Sequence, residues 1–204
     1  VVNNNGRPNT SATDYEYLGK AEADFTMGFT TNLRWKNFSF SATADWRKGG
    51  LMYSNTAYIT HFNGNSTQTV YNERNAFIYP NTVKIVNGEY VENNIMVKSN
   101  EMHSNYNYSN NPYVRRNIVL PKDYFKLREV SLTYDFPKNL LTKTPFKKVM
   151  VSLVGRNLLL FTPKKNNYID PESTNLGNDL TSEFGETTGT SSTRNFGANI
   201  KVVF

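Results

Sequence analysis

Cysteine is absent from the 204 residues, which excludes a disulfide framework and any thiolate zinc site. No apolar run approaches the roughly 20 residues that a helix needs to cross a bilayer. Any membrane crossing must therefore be made by strands, whose backbone groups pair with neighbouring strands. Histidine is scarce: His61 and His103 are the two in the chain. Neither has a companion at metal-ligand spacing, and both are expected at the surface of a long loop. Serine and threonine are plentiful, but no Ser–His–Asp order or glycine-rich elbow accompanies them. No catalytic constellation stands out, so an enzyme is not expected. An initiator Met and a leader are also missing, so the chain reads as a piece of a longer protein.

The formal net charge is +6, but the basic residues are dispersed, with Arg115-Arg116, Lys147-Lys148 and Lys164-Lys165 the densest pairs. The aromatics sit at strand spacing and not among these cations, so nucleic acid is not an expected partner. What the chain does have is 13 Phe and 13 Tyr within a hydrophobic fraction of only 38% and a mean hydropathy of −0.59. That combination suits a structure in which alternate strand residues are apolar and the loops are long and wet.

The alternation is clearest at the end of the chain. Phe196, Ala198, Ile200, Val202 and Phe204 fall on one face of an extended strand, and Asn195, Gly197, Asn199, Lys201 and Val203, mostly polar, on the other. A period of two, apolar outside and polar inside, is what a lipid-facing barrel strand needs. Earlier, Phe25, Met27, Phe29, Thr31, Leu33 and Trp35 alternate with Thr26, Gly28, Thr30, Asn32 and Arg34, then Phe38, Phe40, Ala42, Ala44 and Trp46 alternate in the same way. The apolar set moves from odd to even numbers across Lys36-Asn37, the parity change that a two-residue hairpin loop requires.

The pattern predicts strands over about 24–35, 37–47, 123–136, 148–160 and 194–204. Loops are expected over about 1–23, 48–122 and 161–193, mostly irregular, with a local hairpin about Asn87-Gly88. Pro137 to Lys147 is a compact connection that Pro137 could start with one helical turn. In the third strand Val130, Leu132, Tyr134 and Phe136 share a face that unbroken alternation extends to Lys126 and Arg128. A charge there costs about 2–4 kcal/mol at the midplane and little near the interface, so these two are expected near lipid headgroups. In the fourth strand Met150, Val154, Leu158 and Leu160 blur the polar side.

Short turns on one side of the sheet and long loops on the other are the arrangement of outer-membrane barrels. A strand of about ten residues, tilted near 45°, spans roughly 23 Å of the membrane normal. Five strands cannot close such a barrel, whose smallest members have about eight, so the rest of the wall is expected from residues outside this chain. The fold class read from the pattern is all-β, an antiparallel transmembrane β-barrel segment. A soluble β-sandwich, with the same aromatics as its core, is the alternative.

Several segments together resemble the C-terminal region of the SusC/RagA-like TonB-dependent transporters of Bacteroidetes outer membranes. They are Tyr17-Leu-Gly-Lys-Ala-Glu-Ala-Asp-Phe-Thr-Met-Gly-Phe29, Asp45-Trp-Arg-Lys-Gly-Gly50 and Pro80-Asn-Thr-Val-Lys-Ile-Val-Asn-Gly-Glu-Tyr-Val91. Asp123 through Pro137, Val151 through Leu159, Tyr168-Ile-Asp-Pro-Glu172 and the aromatic end at Phe204 complete the series. The resemblance implies a barrel of roughly 22 strands, of which these would be the last five. It also implies a plug domain outside this chain, TonB contacted through the missing N-terminal part, and a SusD-like surface lipoprotein as lid. The implied location is the Gram-negative outer membrane, against lipid bilayer and lipopolysaccharide. The implied task is active import of oligosaccharides or peptides. No cofactor is implied.

Candidate site residues follow from placement. Trp35, Tyr134 and Phe136 lie toward the tight-turn end and Trp46 toward the far end, as aromatic girdles would. Phe196, Ile200, Val202 and Phe204 mark the terminal strand as a barrel-assembly element. Arg34, Asp45, Arg47 and Arg156 are expected to face the lumen, paired with each other or with a plug. Tyr106, Tyr108 and Tyr113 in the long loop are candidates to stack on sugar rings or pack on the lid, against ordinary loop packing. Asp170 and Glu172 have the spacing to share a Ca²⁺ with backbone carbonyls, against a turn-forming Asp-Pro with a solvated Glu. Three functions fit: an active importer, a passive or structural outer-membrane barrel, and a soluble glycan-binding sandwich module.

Overall fold

The computed structural model describes residues 1–9, 16–98, 116–173 and 184–204. His103, Tyr106, Tyr108 and Tyr113 lie outside the described residues. The alternating segments around Lys36-Asn37 form β1 (Phe25–Trp35) and β2 (Phe38–Lys48). Trp35 faces Phe38 across the two-residue turn, where Lys36 takes a left-handed φ of 52°. Then follow β3 (Leu51–Ser54), α1 (Asn55–Phe62), 3₁₀ turns over Thr67–Arg74, β4 (Val83–Val86) and β5 (Glu89–Glu92). β6 (Val119–Pro121), β7 (Tyr124–Asp135), a helical turn α2 (Lys138–Leu141), β8 (Lys148–Phe161), β9 (Gly185–Glu186) and β10 (Asn195–Val203) complete the chain.

Two structural units divide these elements. One, comprising Lys20–Leu51, Pro121–Thr174 and Thr190–Phe204, contains a five-stranded antiparallel sheet in the order β1-β2-β7-β8-β10. Its register aligns one apolar face. Leu33 faces Phe40, Phe40 faces Leu132, Leu132 faces Leu153, and Leu153 faces Ala198. Phe25 and Leu132 are 39% and 43% exposed, Trp35 67% and Phe196 78%. Among the described residues of this unit no second sheet presses on this face, which a sandwich would require.

The opposite face is polar and knitted by side chains. Thr30 and Thr43 hydroxyls meet at 3.5 Å, Ser41 and Ser131 at 3.2 Å, and Thr133 and Ser152 at 2.8 Å. The sheet thus separates an uncovered hydrocarbon face from a hydrogen-bonding one.

A register change in β7 corrects one sequence expectation. Thr43 faces Glu129, but the next residue, Ala44, faces Leu127, so β7 carries an extra residue at Arg128 relative to β2. On β8, Glu129 faces Arg156 while Leu127 faces Leu159, and Asn157 takes a φ of 52°. A bulge changes the parity of a strand. Below it Val130, Leu132 and Tyr134 are on the apolar face; above it Leu127 and Phe125 take over, aligned with Ala44 and Trp46. Lys126 lies opposite Asp45 on the polar side and is buried. Lys126 and Arg128 therefore do not sit among lipid headgroups on the apolar face.

The same irregularity accounts for one of the residues that blur β8, Leu158, while Met150, Val154 and Leu160 stay opposite Asp135, Ser131 and Lys126. A Cβ built on Gly155 would lie 2.7 Å from Leu158 Cδ2. The Leu158 side chain thus occupies the space that a side chain at 155 would need, on the face shared with Val130 and Phe196.

The other unit comprises Val1–Gly19, Met52–Leu120 and Asn175–Gly189, and among its described residues the stretch expected to be mostly irregular carries short helices and strands. β4 and β5 pair as a hairpin through Asn87 and Gly88, both left-handed at φ 52° and 86°, as a type I′ Asn-Gly turn prefers. Ser54 caps α1 by accepting from Ala57 N at 3.0 Å. The buried apolar residues Met52, Ala57, Phe77, Val97, Ile118 and Leu120 come from short, widely separated segments, so no periodic window reveals them. His61 is 1% exposed, with Nδ1 2.6 Å from Ala57 O and Nε2 3.2 Å from Gln68 Oε1. The expectation of a surface histidine is corrected: its ring is bound within its own helix and the following turn.

Candidate functional site

The most concentrated polar chemistry of the five-stranded unit is where the bulge turns Lys126 and Arg128 onto the polar face. The segment after β8 returns over them. Its start is built locally: Thr162 Oγ1 donates to Asn166 O at 2.6 Å, Asn166 N to Pro163 O at 2.8 Å, and Ser173 N to Asp170 O at 2.9 Å. Asn166 and Asp170 are buried, and Asn166 Nδ2 donates to Pro121 O at 3.3 Å. Asp170 Oδ1 accepts from Glu172 N at 3.1 Å, the Asx arrangement that an Asp-Pro turn favours.

The turn delivers two carboxylates to the wall. Lys126 Nζ donates to Asp170 Oδ2 at 2.6 Å and to Glu172 Oε2 at 2.9 Å. Arg128 donates through Nε to Asp45 Oδ2 at 2.6 Å and through Nη2 to Glu172 Oε1. Tyr124 Oη donates to the same Glu172 oxygen at 2.7 Å. Two cations thus meet three carboxylates.

Burial by itself would raise the Glu172 carboxyl. Hydrogen bonds from Arg128, Lys126 and Tyr124 outweigh it and hold the group down at about 2. The cluster is ionic at neutral pH and fully bonded internally. Removing one partner would leave a buried charge unmatched, which typically costs about 3–5 kcal/mol.

The Asp-Pro turn read from the sequence is present, but both of its carboxylates are engaged by cations of the sheet. Their positive partners are Lys126 and Arg128, and Glu172 is not solvated as a plain turn residue would be. Among the described residues no group of three or more acidic or imidazole side chains is placed to hold a metal. The partners of the polar-face residues also differ from expectation. Asp45 pairs with Arg128, and Arg156 Nε pairs with Glu129 Oε2 at 2.8 Å, so their partners are on β7. Arg34, opposite Ser39, and Arg47, opposite Tyr124, share this polar side. Arg47 Nη2 reaches Ala21 O at 3.4 Å.

The aromatics gather at the two ends of the strands. At the tight-turn end Trp35 stacks on Phe38 at 6.5 Å, Phe38 meets Tyr134 at 4.8 Å, Tyr134 meets Phe136 at 5.1 Å, and Phe146 meets Phe204 at 5.3 Å. At the other end Phe25 packs edge-on against Trp46 at 5.0 Å and Phe125 against Phe161 at 6.3 Å. On β10, Phe196 and Ile200 are exposed at the sheet edge, and Val202 faces Val149.

Sequence reasoning missed Tyr124, Lys126 and Arg128 as partners of the Asp-Pro-Glu turn. The available signal was the pair of charges interrupting an apolar alternation in β7. It also missed the buried Glu186, which accepts from Ser54 Oγ at 2.5 Å and from Thr56 N, Thr56 Oγ1 and Thr188 N at 2.8 Å each.

Comparison with known proteins gives a consistent picture. No family model matches the chain. A TonB-dependent receptor, P3, of Formosa agariphila is 28% identical over 174 residues, which is 85% of this chain and 15% of that protein. A structure of the RagAB peptide importer in its open-open state has a TM-score of 0.54 at 19% identity, covering 88% of this chain and 17% of that one. The closed-closed state of the same importer gives 0.57 at 18% identity, covering 99% and 20%. The chain therefore spans about a sixth of the length of these relatives. The chain is thus similar in sequence to part of a TonB-dependent receptor and in fold to part of the RagAB importer structures.

Proposed function

We propose that the chain forms the last five strands and the adjoining extracellular loops of an outer-membrane, TonB-dependent active importer. The observation that carries this reading is the sheet itself: an uncovered apolar face backed by a hydrogen-bonded polar one. From Trp35 to Phe25 is ten residues, which at ~3.3 Å each and a tilt near 40° is about 25 Å along the membrane normal. That matches the height of an outer-membrane barrel's apolar band, about 25 Å. The Trp35, Tyr134 and Phe136 cluster and the Trp46 cluster would then lie in the two interfacial girdles.

In this arrangement lipid and lipopolysaccharide meet the apolar face, and Arg34, Asp45, Arg47 and Arg156 face the lumen. Phe196, Ile200, Val202 and Phe204 present the terminal strand for barrel assembly. Since β1 and β10 each need a further partner strand in lipid, the rest of the wall comes from the rest of the protein, as would the plug and the TonB-contacting segment. A SusD-like lipoprotein is the proposed lid. The neighbours named as a peptide importer make peptides the first substrate class to test and oligosaccharides the second.

The test uses the full-length protein in its own outer membrane. Uptake of labelled peptides or glycans is expected to stop when TonB is deleted or the proton gradient is collapsed. Uptake that continues without either would replace this proposal with a passive barrel. A full-length protein recovered only in soluble fractions would end both.

A further inference from the structure

The Asp-Pro-Glu turn is held by more than its own sequence requires. A solvated turn needs only the Asx bond between Asp170 and Glu172, yet six side chains of the wall and turn converge on one cluster. Lys126 and Asp170 have side chains only 6% and 3% exposed, and Glu172 receives bonds from Tyr124, Lys126 and Arg128 together. All three donors are on β7, at and beside its bulge, and Asp45 on β2 braces Arg128 from the other side. The bulge has a purpose here: without it Lys126 would point to the opposite face.

We propose that this cluster is a latch that clamps the strap 162–173 onto the polar face of β2 and β7, making it a fixed part of the inner wall. Glu172 is the key positioning residue. The inference rests on the proposed barrel only in calling that face the inner wall; the clamp itself rests on the distances above. Within the strap the amides of Asn166, Ile169, Glu172 and Ser173 donate to Pro163 O, Asn166 Oδ1, Asp170 Oδ1 and Asp170 O. Their exchange with solvent therefore reports whether the strap is held.

The experiment is hydrogen–deuterium exchange on the full-length protein in phospholipid vesicles, comparing wild type with Glu172→Gln and Tyr124→Phe. Glu172→Gln removes the charge and Tyr124→Phe a single hydrogen bond. Exchange at residues 166–173 is expected to speed up about 10-fold in the first and a few-fold in the second, with β1, β2, β8 and β10 unchanged. Unchanged exchange in the strap overturns the latch. So does acceleration spread evenly over all strands, because the cluster then supports the whole sheet and not the strap. If Glu172→Gln does not assemble, Tyr124→Phe alone decides by the same criterion. Loss of TonB-dependent uptake is scored separately, so a failed latch and a failed importer assignment give different results.

Discussion

The bulge at Arg128 makes a prediction that unbroken alternation contradicts. Counting by twos from Val130 and Leu132 puts Leu127 on the polar face beside Glu129 and Ser131. The observed register puts it on the apolar face, opposite Ala44 and Leu159. Its row includes Phe29, which is six residues from Trp35 and four from Phe25 along β1, close to mid-depth. An arginine on the lipid face costs about 2–4 kcal/mol at the midplane of an outer-membrane barrel.

Leu127→Arg should therefore lower stability in lipid by about 2–3 kcal/mol, a factor of roughly 30 to 150 in the folding equilibrium. Val130→Arg, apolar-facing by either count, should cost a similar amount. Ser131→Arg, polar-facing by either count, should stay within about 0.5 kcal/mol of wild type. The assay is denaturant unfolding of the full-length protein from phospholipid vesicles, read by tryptophan fluorescence. Where unfolding is irreversible, the fraction assembled in outer membranes ranks the same variants. If Leu127→Arg behaves like Ser131→Arg, the parity change is wrong and the ionic cluster loses its geometric basis.

Glu172 should make its contribution in a defined pH window. Its carboxyl sits at about 2 in the fold against an ordinary 4.5, so its stabilisation is complete above about pH 4.5 and disappears as pH falls toward 2. After allowance for its partial exposure the effect is on the order of 2 kcal/mol. Thermal unfolding of wild type and Glu172→Gln should show a gap that is constant from pH 5 upward and narrows below; a gap widening in acid would contradict the assignment. Gly50 has φ of 90°, and a Cβ there would lie 2.6 Å from Ala21 O. Gly50→Ala should thus destabilise the top of β2 by about 2 kcal/mol or more, seen as faster amide exchange at Leu51 and Lys122. Their amides donate to Lys20 O and Gly50 O. Glu186→Gln should cost about 1–3 kcal/mol, because the buried carboxylate accepts four hydrogen bonds and the amide nitrogen cannot accept any. Exchange at Thr56 and Thr188 should rise, and equal protection in the variant would show that the charge is not needed.

How much was legible in the sequence follows from the range of each interaction. A lipid-facing strand shows itself in its own residues, because the side-chain period of two is local. Phe25 to Trp35, Phe38 to Trp46 and Phe196 to Val202 need no partner to reveal their apolar face. The Lys36-Asn37 turn and the Asn87-Gly88 hairpin are equally local, since backbone conformation there is chosen by adjacent residues. The folded module within 48–122 was not legible: its core is assembled from single residues far apart, and α1 depends on Ser54 and the distant Glu186.

The amino-acid order by itself thus determined which strands build the five-stranded sheet and which of their faces is apolar. Tertiary structure alone decided where Lys126 and Arg128 point and what Asp170 and Glu172 do. Arg128 and Asp45 are 83 residues apart and Lys126 and Glu172 46 apart, so neither pair exists until the strands are in register. A bulge is a mismatch between two strands, one residue against two. No single strand's sequence contains it, and only the paired sheet could turn those charges onto the polar face.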